Sequence, residues 1–360
     1  MLRAELRKTW SRPLIVVSFL LVCLAQVVYV SMNRNSGTKE LSIALNEFGG
    51  QMDDTWKNYI NTQYENLWES APKSAEDLWD ATPEQRAILI ALDYTFFTHM
   101  LDAYVDMLDE VYDSVGKEAY AELRVASEDG NLVFGSSPAG ESMANQYMVT
   151  WGFLIFMILL CVDQFSGEKA IGMVSMLCST KQGRRKLFLT KFLTCQISAL
   201  IVWATSNLIY ALILTFYYGW GNLQSVVQDF SFNACPYNWN TGEYLMVILV
   251  GGIIASQLTA LVIFLLARIG KTTQRSFALM GGVLVLPYLI SFMADDYRLA
   301  LWLPCLINSR WLWSGLRLLQ LGNHYIHLWS IAGAELLLIT VIATLMLHHF
   351  MKTAETDIDT

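Results

Sequence analysis

Six long apolar runs divide the chain: Pro13–Met32, Met143–Val162, Phe192–Tyr218, Tyr244–Ala267, Phe277–Ala294 and Leu328–Met351. Each is close to the roughly 20 residues that a helix needs to cross a hydrocarbon core. The pattern predicts six transmembrane helices, the fifth interrupted by Pro287. Between the first and second runs the period changes. Ile88, Leu89, Leu92, Phe96, Met100, Leu101, Tyr104, Leu108 and Val111 recur at helical spacing, while Asp102, Asp106, Asp109, Glu110 and Asp113 line the other face. Residues 33–142 therefore read as an inserted, mainly helical domain, with helices over Asp53–Trp68 and Glu84–Tyr120. Pro83 stands at a first helical position, and a short hairpin through 128–134 turns at Asp129-Gly130.

Composition agrees with a membrane protein: 54% of the 360 residues are hydrophobic and only 16% are charged. Charge is divided unevenly, which fixes the expected topology. Residues 33–146 hold 21 acids and 7 bases, a net of −14, whereas the rest of the chain nets +6. Arg3, Arg7, Lys8 and Arg12 precede the first run, Arg268, Lys271 and Arg275 lie between the fourth and fifth, and Lys352 follows the sixth. Threading six spans from a cytoplasmic N-terminus puts all these bases on one side, as the positive-inside rule requires. Both termini are then cytoplasmic, in the plasma membrane, and the acidic insertion is extracellular. The first run extends to about 20 residues with no small-x-small cleavage site, so it reads as a retained anchor rather than a signal peptide.

The stretch 300–325 carries Arg310 and Arg317 among leucines and tryptophans, with Arg298 just before it, too charged for a deep span. It is either a re-entrant helical hairpin or helices lying at the outer surface. Trp302, Trp311, Trp313 and Trp329 suit a headgroup-level belt. Of six cysteines, Cys23, Cys161, Cys178 and Cys195 read as small apolar packing, whereas Cys235 and Cys305 both fall on the outer side and are candidates for a disulfide. Gly251-Gly252 and Gly281-Gly282 permit close packing or flexing. Glu335, some seven residues into the sixth run, lines a pathway, pairs with Arg298 or Arg317, or lies protonated at the outer interface; the first alternative makes it the candidate pathway residue.

The most informative segment is 163–191, a basic elbow between the second and third runs. Lys169, Lys181, Arg184, Arg185, Lys186 and Lys191 stand against Asp163 and Glu168. Ile171, Val174, Leu177 and Cys178 share one stripe of a helix beginning near Ser166, with Lys181 to Lys186 as its charged end. The sequence Phe165-Ser-Gly-Glu168-Lys-x-x-Gly172, followed by Leu177, Thr180, Arg184 and Lys191, resembles the permease subunit of the second class of ATP-binding-cassette exporters. So does the surrounding order: a basic lead, a first span, a large outer insertion, then this elbow. In that family an acidic residue follows the second span, a glycine precedes a short coupling helix, and basic residues open the third span. Gln182-Gly183 stand where the family often has Pro or Ser. The resemblance implies a coupling helix over about 167–186 that docks on a cytoplasmic ATP-binding-cassette ATPase, with Glu168, Gly172, Leu177, Arg184, Arg185 and Lys191 as coupling residues. It also implies a second permease chain, identical or different, and export of a peptide, antibiotic or lipid-like compound.

No phosphate-binding loop is present, since Gly270-Lys271-Thr272 lacks the upstream glycine. ATP and Mg belong to the partner, and this chain is expected to hold no cofactor, no metal and no catalytic residue. Membrane lipid is an expected partner and nucleic acid is not. An alternative reading is a membrane-anchored sensor or scaffold whose elbow recruits a cytoplasmic protein without transport. An intramembrane enzyme is a third, disfavoured because no span carries a Ser/His pair or His-Glu-x-x-His spacing.

Overall fold

The computed structural model describes residues 2–32, 36–67, 81–112, 115–144, 147–167, 181–227, 235–270, 272–294, 301–313, 315–321 and 324–356. It is predominantly helical, with α1 (Leu2–Trp10) and α2 (Pro13–Met32) leading into α3 (Ser36–Glu47), β1 (Gly50–Gln51), α4 (Asp54–Leu67), α5 (Pro83–Thr95) and α6 (Phe97–Tyr112). Then come α7 (Val115–Ala119), α8 (Ala121–Glu128), β2 (Val133–Phe134), α9 (Pro138–Ala144) and α10 (Tyr147–Val162), which ends in a π-turn over Asp163–Gly167. The remaining helices are α11 (Lys181–Tyr218), α12 (Thr241–Gly270), α13 (Thr273–Met280), α14 (Leu286–Ala294), α15 (Arg310–Trp313) and α16 (Leu328–Thr356).

Among the described residues, five helices are long and apolar enough to cross a membrane: Pro13–Met32, Tyr147–Phe165, Arg185–Tyr218, Thr241–Gly270 and Leu328–Lys352. The chain is thus a multi-pass, helical membrane protein. The expected span at 277–294 is helical but is not one of these five. There α13 and α14 are joined by a π-turn over Gly281–Val285, in which the Leu286 N–H reaches back to the Gly281 carbonyl. Pro287 lacks an N–H and would crowd the carbonyl four residues before it, and the π-turn absorbs that defect.

α10 is the hub of the bundle. It is 67% buried across its span, whereas the last helix is only 11% buried and stands at the periphery. Phe153, Phe156, Met157 and Leu160 of α10 are fully buried against Ile15, Cys195, Ala199, Ile263, Phe264 and Met280 from the surrounding helices. Cys161 and Cys195 meet there with sulfurs 3.3 Å apart, as small packing residues.

The domain between α2 and α10 has its own core of Trp56, Ile60, Ile88, Leu101, Val105, Tyr120, Leu123 and Phe134. Its α5 begins with a reciprocal cap: the Gln85 N–H donates to the Thr82 hydroxyl, and the Thr82 N–H donates to the Gln85 side chain. Pro83 occupies the first helical position, as the sequence predicts. The expected hairpin at 128–134 is not formed. Gly130 has φ 66° and ends α8, with the Asn131 N–H bonded to the Ala126 carbonyl and the Gly130 N–H to that of Ser127. That is a helix C-cap requiring a left-handed residue, and β2 pairs instead with the distant β1, Phe134 opposite Gly50.

This domain is sewn to two later connectors. The Val226 N–H donates to the Val133 carbonyl at 3.0 Å, the Asn222 N–H donates to Ser136, and the Ser137 hydroxyl donates to the Trp220 carbonyl. Leu316 and Leu318 enter the same domain core. The connector before α12 and the segment before α16 therefore lie at one end of the bundle, with the domain. At the opposite end lie α1, the π-turn at 163–167 and the start of α11.

Segment 301–327 differs from the expected helical hairpin. It forms a 3₁₀ turn over Cys305–Asn308, the single turn α15, and an antiparallel ribbon of β3 (Leu318–Leu321) with β4 (His324–His327), paired Leu321 to His324. The 3₁₀ turn does descend into the bundle. The Ile307 carbonyl would lie 2.9 Å from a Cβ at Gly252. Gly252 is eleven residues into α12, roughly 16 Å along its axis. Gly251-Gly252 thus permit close packing, whereas a Cβ at Gly281 or Gly282 would meet no other described element within 4 Å.

Candidate functional site at the base of the elbow

Asp163 ends the apolar run of α10, and a carboxylate at that depth needs a partner. It finds Arg12, which joins α1 to α2. The guanidinium donates to the Asp163 carboxylate and, at 3.4 Å, to its backbone carbonyl. Both side chains are about three-quarters buried. Two residues earlier, Trp10 donates to the Ser198 hydroxyl at 3.1 Å and packs on Phe19 and Phe156. The short α1 is thereby tied to α10 and α11 together.

The other side of the elbow is fixed by Lys191. Its ammonium is buried, donates to the Gln164 carbonyl at 2.6 Å, and stands 5.2 Å from the ring centre of Phe165. A π-turn leaves carbonyls without their usual i+4 donors, so the lysine supplies a proton where the helix cannot. Phe264 of α12 collects Phe165, Phe188 and Phe192 around it at 5.0 to 5.7 Å. The π-turn is consequently held by the α1–α2 junction, α11 and α12 at once.

Of the residues named from sequence, Glu168, Gly172 and Leu177 lie outside the described residues. Arg184 and Arg185 fall in the first turns of α11, a continuous 38-residue helix from Lys181 to Tyr218, and the Arg185 side chain is exposed. Lys181 to Lys186 therefore stand in the first turns of this long helix, while most of the helix expected from Ser166 onward lies outside the described residues. Lys191, read as a coupling residue, is internal to the elbow base, so any part it plays is by holding the turn rather than by touching a partner.

Glu335 is half-buried on α16, close enough for its charge to be felt at Cys305. Among the described residues it forms no ion pair, and the expected partner Arg298 lies outside them. Cys235 and Cys305 are both buried free thiols. They belong to different apolar clusters, Cys305 meeting Ser291 at 3.1 Å, so the expected disulfide is not formed.

Trp10 and Arg12 are the members that sequence reading missed as site residues. Their signal was Asp163, a lone acid closing an apolar run, which demanded a cation from another element. No protein-family model, curated protein or solved structure matches the chain.

Proposed function

We propose that the chain is the membrane-spanning permease subunit of an ATP-driven exporter, with ATP and Mg held by a separate cytoplasmic ATPase docked on the elbow. A second permease chain completes the pathway. The observation that carries this reading is the clamped elbow base: Asp163 bound to Arg12 on one side, Lys191 bound to the Gln164 carbonyl on the other. A force applied between these clamps reaches four helices together. The resemblance over Phe165 to Lys191 supplies the nature of the engine.

Electrostatics supports a docking role. Lys181, Arg184, Arg185 and Lys186 crowd the N-terminus of α11, where the positive end of the helix dipole opposes them. Such a cluster does not stabilise its own helix, but it matches an acidic partner surface or anionic headgroups. In this reading the elbow end is cytoplasmic, the acidic domain is extracellular, and the helix through α13 and α14 is the fifth of six crossings. Contact of the domain with connectors on either side of α12 to α14 supports that parity. Glu335 then borders the pathway in the outer half of the membrane.

The test is affinity purification in mild detergent, followed by Arg184→Glu with Arg185→Glu. An ATPase should co-purify with the unaltered chain, and the double reversal should abolish stimulation of that ATPase while leaving membrane insertion intact. Co-purification of a kinase or regulator without an ATPase, or stimulation unaffected by the reversal, would sink the proposal.

A further inference from the structure

Three separate elements bring four rings together at the domain end of the bundle, with His327 of β4 beside them. Tyr237 and Trp239 stack at 4.4 Å, and Trp313 meets them at 6.0 and 5.6 Å with its plane steeply inclined to both. Trp329 lies nearly parallel to Trp313 at 6.3 Å, with His327 against it at 5.9 Å. An interfacial belt sets rings singly among headgroups. Here they form one joined surface from the connector before α12, the turn of α15 and the head of α16. Trp329 is 42% exposed, so this surface has an open face.

Its electrostatic setting favours a positive ligand. Aromatic faces carry the negative part of the ring quadrupole and attract cations, most strongly where water is excluded. Among the described residues no Lys or Arg covers Trp239, Trp313 or Trp329. Arg310, the nearest cation in sequence, has the Glu141 carboxylate beside it. Burial holds the His327 imidazole below its ordinary range, which disfavours its charged form. Glu335 follows Trp329 by six residues on the same helix, roughly 9 Å along it. The domain joined to this end supplies a long-range field from its net −14.

We propose that this aromatic surface is a binding site for organic cations with an apolar body, held face-on by Trp313 and Trp329 with Glu335 as counter-charge. The inference goes beyond the exporter reading. Binding by the purified chain needs no ATPase and no transport, so loss of either conclusion leaves the other standing.

The experiment uses the full chain in lipid nanodiscs and two probes of equal shape and opposite charge, tetraphenylphosphonium and tetraphenylborate. Protein-free discs give the lipid background. Saturable binding of the cation alone is expected. Trp329→Leu should weaken it about fivefold or more, and Trp329→Phe should retain most of it, as face-on cation binding requires. Glu335→Gln, which tests the site independently should Trp329→Leu fail to fold, should weaken the cation and leave tetraphenylborate unchanged. Discs of phosphatidylcholine and of phosphatidylethanolamine, equal in net charge but only the first carrying a quaternary ammonium, separate two sources of the same chemistry. Weaker probe binding in phosphatidylcholine means that the lipid's own quaternary ammonium takes the site, and equal binding means that a soluble cation does. Equal saturable binding of both ions, or unaltered affinity in Trp329→Leu and Glu335→Gln, would overturn the proposal.

Discussion

Arg12 donates to Asp163 across 151 residues of sequence, joining the first helical elbow of the chain to the turn that ends α10. Both partners are mostly buried, so removing one leaves the other charge poorly solvated. Asp163→Asn or Arg12→Gln should each destabilise the protein by about 2–4 kcal/mol, somewhat below the cost of breaking a fully buried pair because each side chain keeps about a quarter of its exposure. The exchange of both, Arg12→Asp with Asp163→Arg, should recover part of that loss in a thermal melt of the purified chain. Additive losses in the exchanged variant would show that the two do not act as a pair.

Lys191→Met keeps the apolar stem and removes the donor to the Gln164 carbonyl. The expected cost is about 1–3 kcal/mol for a buried acceptor left unmade. Lys191→Arg should also lose stability, because a planar fork does not fit a site shaped for a point charge. Melting temperatures equal to the unaltered protein in both variants would mean that the turn is held by the phenylalanines around Phe264 alone.

Two glycine substitutions separate close approach from helix propensity. A Cβ at Gly252 would meet the Ile307 carbonyl at 2.9 Å and Trp203 at 3.2 Å, while one at Gly281 would meet nothing. Gly252→Ala should lower stability by about 1–3 kcal/mol through overpacking. Gly281→Ala should be neutral or stabilising by up to about 1 kcal/mol. Parallel melts in detergent check the contrast, which would vanish if the 3₁₀ turn did not rest against α12.

Cys235 and Cys305 should both react with an alkylating reagent after denaturation without reductant. Burial pushes the Cys235 thiol up to about 12, only partly offset by a hydrogen bond from Tyr237, so labelling in the folded state should be slow. Intact mass before and after denaturation measures this directly. A linked peptide containing both cysteines would contradict the structure.

Glu141 lies in α9, outside the spans, and burial raises its carboxyl above the ordinary range, with Arg310 countering in part. The folded chain therefore binds this proton more tightly than the unfolded chain. Its contribution to stability is largest at acid pH and falls as pH rises from the unfolded value to the raised folded one. Glu141→Gln should thus be no less stable than the unaltered protein at pH 7, and relatively less favourable near pH 4. Melts across that range read the sign.

Much of the membrane part was legible because burial in lipid demands long apolar runs, and those at Pro13–Met32 and Tyr244–Ala267 declare themselves by length alone. The break at Gly281–Val285 was half visible in Pro287. The ribbon at 318–327 had a signal in Gly322-Asn323, a two-residue turn sequence between Leu321 and His324, hidden by the helical spacing of the leucines around it. Helix Ser36–Glu47 was missed because its sequence is weakly amphipathic; Asn46 holds its C-terminal end by exchanging hydrogen bonds with Ser136, ninety residues away. At the elbow, Lys191 was found from its motif, yet its buried setting was not, since a lysine in a basic run gives no sign of which carbonyl it will meet.

The helix from Lys181 to Tyr218 has 38 residues, about 57 Å of unbroken rod, nearly twice the thickness of a hydrocarbon core. It begins beside the elbow and ends one residue before the connector that carries Trp220 and Val226 into the domain. No relay of side chains is needed between these places. Tilting such a lever arm by about 5° would swing its far tip by about 5 Å, given the rise per residue, so a displacement at one end of the bundle would be felt directly at the folded cap on the other.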